Sequence, residues 1–239
     1  MKNAILAAAA VVLGLNAADG PQFTAGGKLI LPQDYREWVF LSSGLGMTYG
    51  PLGAGATNDN PRFDNVFVTR AAYKSFLETG TWPDKTMFIL EVRSGQSNVS
   101  INNGGRSQGD IVGIEANVKD EHRFPGKWGF FAFGRGASES TQIPATAACY
   151  SCHGQKGAVD NTFVQFYPTL IAVAKQKGTL RAGALETPPP SPTVRDVVCG
   201  MDIAQGDAVG KADYKGKTYY FCSQDCKNNF DHTPEKYVK

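Results

Sequence analysis

Cys149-Tyr150-Ser151-Cys152-His153 constrains this chain more than any other stretch, because it requires the surrounding fold to enclose a large flat cofactor. Thiols three residues apart lie on one helical turn and add to the two vinyl groups of a porphyrin. The adjacent imidazole then falls beneath the iron as its axial ligand. A redox dithiol or half a zinc site are the rival readings. Neither needs the histidine that follows at once, and no second paired-cysteine element lies nearby. The expectation is one covalent haem c per chain, tethered by Cys149 and Cys152, with His153 on the iron.

The residues before this motif say which haem folds are excluded. Apolar residues come in short runs separated by Gly, Asn, Asp and Pro: Trp38 to Leu41, Val66 to Val68, Met87 to Val92, Ile111 to Ile114 and Trp128 to Phe133. These read as strands. Thr69 to Thr79 instead places Ala72, Phe76 and Leu77 at helical spacing, and Val164 to Lys177 does the same with Leu170, Val173 and Ala174. Asn102 to Gly109 reads as a Gly-rich turn, since it lacks the strand and helix context of a phosphate loop. Small helical cytochromes carry the motif near their start, and a four-helix bundle would show long 3.6-residue periodicity. This chain does neither, so an α+β fold with a mainly antiparallel sheet and a few helices is expected.

Met1-Lys2, the apolar run Ala4 to Leu15 and the small residues Ala17 and Ala18 have the grammar of a secretory signal over residues 1–18. The run is shorter than the roughly 20 residues a bilayer core demands, so export to the periplasm is expected rather than anchoring. With 24 basic and 22 acidic residues interspersed, net charge is +2 and gives no footprint for nucleic acid.

Pro188, Pro189, Pro190 and Pro192 mark a stiff spacer over 177–194, dividing a haem domain at 24–176 from a compact unit at 195–239. That unit has a turn at Lys215-Gly216 between two strands and a short helix around Cys226 to Phe230. So small a piece needs a metal or crosslink to fold. Cys222 and Cys226 stand four apart where a turn enters a helix, and Cys199 reaches over from a preceding knuckle. Three soft thiolates suit Cu(I) or Zn(II), with His232, Asp225 or a water completing the shell. A disulfide plus one free thiol is the other reading.

The blocks Tyr35-Arg36-Glu37-Trp38-Val39, Phe67-Val68, Glu78-Thr79-Gly80 and Gly113-Ile114-Glu115-Ala116-Asn117-Val118-Lys119-Asp120 occur in order. Arg123-Phe124, Trp128-Gly129-Phe130, the late haem motif and Phe163-Val164-Gln165-Phe166-Tyr167-Pro168 follow. Together they resemble the cytochrome P-460 family over nearly all of residues 28 to 175. The resemblance implies an antiparallel β fold, five-coordinate haem, frequently a homodimer, and oxidation of hydroxylamine. The related cytochromes c′-beta bind nitric oxide and carbon monoxide instead. Val198-Cys199-Gly200-Met201 with Tyr219-Tyr220-Phe221-Cys222-Ser223-Gln224-Asp225-Cys226, then Phe230, Pro234 and Tyr237, looks like a YHS domain, a module that accompanies metal-handling proteins.

One departure bears on activity. Where enzymatic members carry a lysine crosslinked to the porphyrin, this chain has Leu90. Lys85 lies an odd number of residues away and so on the opposite face of a strand. By the same resemblance, a basic residue that the hydroxylamine-oxidising type carries on the neighbouring strand is replaced here by Asp64, beside Phe63, so Phe63 and Leu90 are expected to give the distal side an apolar lining. Such a wall favours neutral diatomic ligands. Glu115 is read either as a proton acceptor for hydroxylamine oxidation or as a hydrogen-bonded structural carboxylate. Met47, Met87 and His122 are candidate sixth ligands, and any of them would make the protein an electron carrier. Two functions are thus expected: a periplasmic haem protein that binds and oxidises small nitrogen species and passes electrons to a periplasmic partner, or an electron-transfer or copper-handling protein.

Overall fold

The computed structural model describes residues 20–47, 61–186 and 192–238. The signal-like residues 1–18 lie outside them. In chain order the elements are β1 (Leu29–Ile30), β2 (Val39–Leu45), β3 (Arg62–Val68), α1 (Arg70–Thr79), β4 (Met87–Gln96), β5 (Ser107–Lys119), β6 (Trp128–Phe133), β7 (Glu139–Ser140), α2 (Ala148–Lys156) and α3 (Pro168–Lys177). The smaller C-terminal unit adds β8 (Thr193–Arg195), β9 (Asp202–Ala204), β10 (Gly210–Tyr214), β11 (Lys217–Phe221) and α4 (Gln224–His232). The fold is α+β, as the alternation of short apolar runs with helical stretches implies.

Strands β2 to β6 form one antiparallel meander in chain order. Its register determines what each face does, because residues directly opposite one another share a face. One row runs Phe67, Ile89, Ala116, Phe131. It packs against Leu29, Leu31, Tyr35 and Phe124 in the first of two hydrophobic cores. The adjacent residues point the other way and form the rows Val68, Phe88, Asn117, Phe130 and Ser42, Val66, Leu90, Glu115. A bulge between Phe40 and Ser42 brings Ser42 onto this second face and leaves Phe40 exposed on the first.

Helices α1 and α3 cover only part of the second face. Ala72 and Phe76 of α1 and Leu170 and Ala174 of α3 are buried with Val68, Phe88 and Trp82. The expected partner Leu77 is instead exposed, one position off the apolar stripe. Pro168 occupies the first turn of α3, where its missing N–H costs nothing, so the helix expected from Val164 begins as a 3-10 turn (Val164–Phe166) and restarts at the proline. Gly80 ends α1 in the left-handed conformation, and a Cβ there would meet that of Lys177 at 2.6 Å. Beyond these helices the second face stays open, and the cavity described below lies there.

Two boundaries differ from expectation. Strand β5 already begins at Ser107, inside the presumed Gly-rich turn. The spacer is shorter than its composition suggests: the Thr179 hydroxyl donates to Gly80 O at 2.7 Å, Arg181 donates to Ala158 O and Gly157 O, and Leu180 and Ala184 pack on the core. Small apolar residues before the prolines suffice to bind this stretch to the sheet domain.

In the C-terminal unit, β10 and β11 pair across Lys215-Gly216, both at positive φ, the turn geometry that matches strand twist. Phe230 of α4 packs on Tyr219 and Phe221, and these three are the buried core.

Candidate functional site

A cavity of about 240 Å³ opens between the uncovered face of the sheet and helix α2. Cys149, Cys152 and His153 line it from α2, and Ser42, Asp64, Val66, Leu90 and Glu115 line it from the sheet. Both thiols are free, so α2 presents two unblocked sulfurs and one imidazole to the same space.

The imidazole is held from behind. Its Nδ1 donates to the carbonyl of Asn161 at 2.8 Å, leaving Nε2 as the ring's remaining ligand atom. The loop after α2 makes this bond by turning sharply: Asp160 and Asn161 both have positive φ, and Ala158 N–H donates to Thr162 O at 2.8 Å. Gly157 permits the approach, because a Cβ there would lie 2.5 Å from His153 O and 2.7 Å from the Asn161 carbonyl carbon. Phe130 and Phe163 flank the ring, with centroids at 4.5 and 4.3 Å. Burial pushes the pKa of His153 down, which favours the neutral form that ligates metals.

The opposite wall corrects the expected apolar lining. Leu90 and Val66 do face the cavity, but Phe63 does not line it. Phe63 is one residue out of step with Asp64 and Val66, and in a strand that places it on the other face. Asp64 takes its place, and Glu115, opposite Leu90, joins it. Burial raises the pKa of Asp64, with Arg62 partly opposing it. Burial also raises that of Glu115, and the charge of Asp64 raises it further. Neither carboxylate has a hydrogen-bond or ion-pair partner among the described residues. The sequence mentions Asp64 only as a missing base; its parity with Val66 and Val68 is the signal that assigns it to the cavity.

The remaining candidates separate cleanly. Lys85 sits in a turn at φ 64°, paired with Asp120 at 2.6 Å, away from the cavity. Met87 is buried in the core on the first face, and His122 lies exposed in a turn. Met47 lines the cavity.

A second site lies in the C-terminal unit. Ligand atoms of Asp196, Cys199, Cys222 and Cys226 all fall within 4.8 Å of one another. The Sγ atoms of Cys199 and Cys226 lie 3.5 and 3.7 Å from that of Cys222. Ser223 caps α4 by accepting from Cys226 N–H at 3.1 Å, which fixes the four-residue spacing of its two cysteines on the helix start. Asp196 is fully buried, and its two oxygens accept the N–H groups of Val198 and Cys222, each at 2.8 Å. Burial alone would raise its pKa, but these bonds hold it below the ordinary carboxylate value. Burial, then the bond to Asp196, pushes the Cys222 thiol up, and Cys226 rises mainly through burial. The expected fourth ligands His232 and Asp225 are not in the cluster. His232 Nδ1 is engaged with Asn228 O at 2.7 Å at the far end of α4. Asp196 supplies the carboxylate instead, from just before the knuckle rather than from the helix. Three thiols and a carboxylate this close can hold a soft or borderline metal ion.

The cytochrome P460 family model matches residues 32–164, which span the five-stranded sheet and α2, and the YHS domain model matches residues 194–239, which hold the cysteine cluster. No curated protein matches the chain. The P460 family implies a haem, and the cavity fits one: two free thiols and a back-bonded imidazole share one helix face across from an open wall. With a match over more than half its length, this chain belongs to the cytochrome P460 family and is a haem protein carrying a C-terminal metal-binding YHS module.

Proposed function

We propose that this is an exported, periplasmic c-type haem protein that binds small nitrogen species, nitric oxide or hydroxylamine, and oxidises hydroxylamine. The observation that carries this reading is the asymmetry of the cavity. His153 stands on one side, while the sheet wall opposite presents Val66, Leu90, Asp64 and Glu115 and, among the described residues, no histidine, cysteine or lysine. Haem, when bound, would supply a redox-active iron able to take a small ligand. Cys149 and Cys152 would tether the porphyrin, and His153 would ligate the iron. The Glu115 carboxylate would accept protons released when a nitrogen ligand is oxidised. Leu90 offers no amine to the porphyrin, so the haem keeps an ordinary c-type spectrum. The apolar run after Lys2 supports export, where such haem is attached. Electrons pass to a soluble periplasmic carrier. Exposed Phe40 and Leu45 on the edge strand β2 support a homodimer. The YHS cluster holds Cu(I) or Zn(II).

Met47 favours a second reading, since a thioether lining the cavity would occupy the sixth position and make an electron carrier. Optical spectra of the ferric, ferrous and carbon monoxide or nitric oxide-treated protein decide between them. A high-spin ferrous haem whose Soret band shifts on gas addition supports ligand binding. A low-spin haem indifferent to carbon monoxide supports the carrier. Loss of covalent haem in Cys149→Ala and Cys152→Ala tests the tether.

A further inference from the structure

We propose that Asp64 and Glu115 act together as an anion-rejecting wall, so that the haem iron takes neutral or cationic ligands and excludes azide, nitrite and similar anions. The inference rests on the reading of this cavity as a ligand-binding haem pocket and adds to it the charge class of the ligand.

The register places the two carboxylates on either side of β4. Asp64 is opposite Val92 and Glu115 opposite Leu90, so they flank the open wall from β3 and β5, about 12 Å apart at the backbone by ordinary strand spacing and a two-residue offset. Both line the cavity, and among the described residues no lysine or arginine lines it with them. Arg62, next along the same face and exposed, is the one cation whose charge reaches Asp64, and it only partly offsets the effect of burial. Neither carboxylate has a hydrogen-bond or ion-pair partner among the described residues, so none of these pairs with them in the cavity.

Two fixed acids without a counterion act on an arriving ligand through its charge. A small anion bound across from His153 meets their repulsion in a partly desolvated space, where charges interact more strongly than in water. A neutral diatomic or neutral hydroxylamine meets none. The wall across from His153 is therefore negative, and selection is by charge rather than by size.

The haem-loaded protein and its Asp64→Asn and Glu115→Gln variants, which keep side-chain shape, are titrated with azide and nitrite as ferric forms and with carbon monoxide as ferrous forms, followed at the Soret band. The expected result is about tenfold tighter anion binding in each variant, the change one removed charge produces at this range, with carbon monoxide affinity altered less than about twofold. In the wild type, the azide association rate should rise with ionic strength as salt screens the repulsion. Unchanged azide affinity in both variants, equal tightening of azide and carbon monoxide, or a wild-type rate that falls with salt would each overturn the charge argument while leaving the gas-binding pocket standing. A haem that answers neither azide nor carbon monoxide overturns both.

Discussion

The imidazole of His153 and the carbonyl of Asn161 are 2.8 Å apart, and the residue that supplies the carbonyl holds a left-handed backbone at φ 59°. Asparagine tolerates that conformation; a β-branched residue does not. Asn161→Val should cost about 1–2 kcal/mol through backbone strain and shift the ring. Asn161→Gly should stay within about 1 kcal/mol of wild type. Thermal melting followed by circular dichroism reads the first effect, and the Soret position of the ferrous protein reads the second. Equal melting of the two variants would mean that the loop reshapes without strain.

Gly157→Ala tests the same loop from the other side. Its new methyl would meet backbone atoms of His153 and Asn161 at 2.5 to 2.9 Å, and backbone cannot move aside as a flexible side chain can. The expected outcome is a loss of about 1–3 kcal/mol together with poorer haem retention. Denaturant unfolding and the haem-to-protein absorbance ratio measure the two parts.

On the first face of the sheet, Glu91 is buried and accepts from Tyr35, Arg36 and Arg93. Burial would raise its pKa, but the three donors hold it below the ordinary carboxylate value, and burial together with the bond to Glu91 pushes the Tyr35 hydroxyl to about 12. Because the folded protein prefers the ionised carboxylate, this contribution is complete above the unfolded value of 4.5 and drains away as pH falls through the lower folded one. Glu91→Gln should lose about 2–3 kcal/mol at pH 7 and much less near pH 3. Urea unfolding at both pH values checks it; a pH-independent difference would assign the loss to packing.

The five strands and both long helices were legible in the sequence because period-two and 3.6-residue patterns are local properties. The haem motif was legible because its chemistry is contiguous. Parity within a strand was harder. Phe63 is the more apolar neighbour and reads as pocket lining, yet register with Val92 and Leu90 turns Asp64 inward, and register is set by pairing across the sheet rather than by either residue alone. Asp196 was hidden for a related reason. Ligand spacing in sequence points to Asp225 and His232 on the helix that bears Cys226, whereas the carboxylate arrives from the start of the knuckle through its own bonds to Val198 and Cys222.

Those bonds make Asp196 the support of the second site. Asp196→Ala would strand two part-buried N–H groups, at about 1 kcal/mol each, in a unit whose buried core is Tyr219, Phe221 and Phe230. So small a core leaves the module dependent on what its thiols hold. Because the Cys222 and Cys226 thiols keep their protons in the metal-free state, metal uptake must release them and should weaken as pH falls. Calorimetry of the full chain should therefore show two transitions. The lower one should move up by several degrees with Zn(II) or Cu(I), fall back on chelation, and be lost or lowered further in Asp196→Ala and Cys222→Ser, while the upper transition of the haem domain stays in place. A single transition indifferent to metal and chelator would instead mean that the two domains melt as one unit and that the thiol cluster adds nothing to folding.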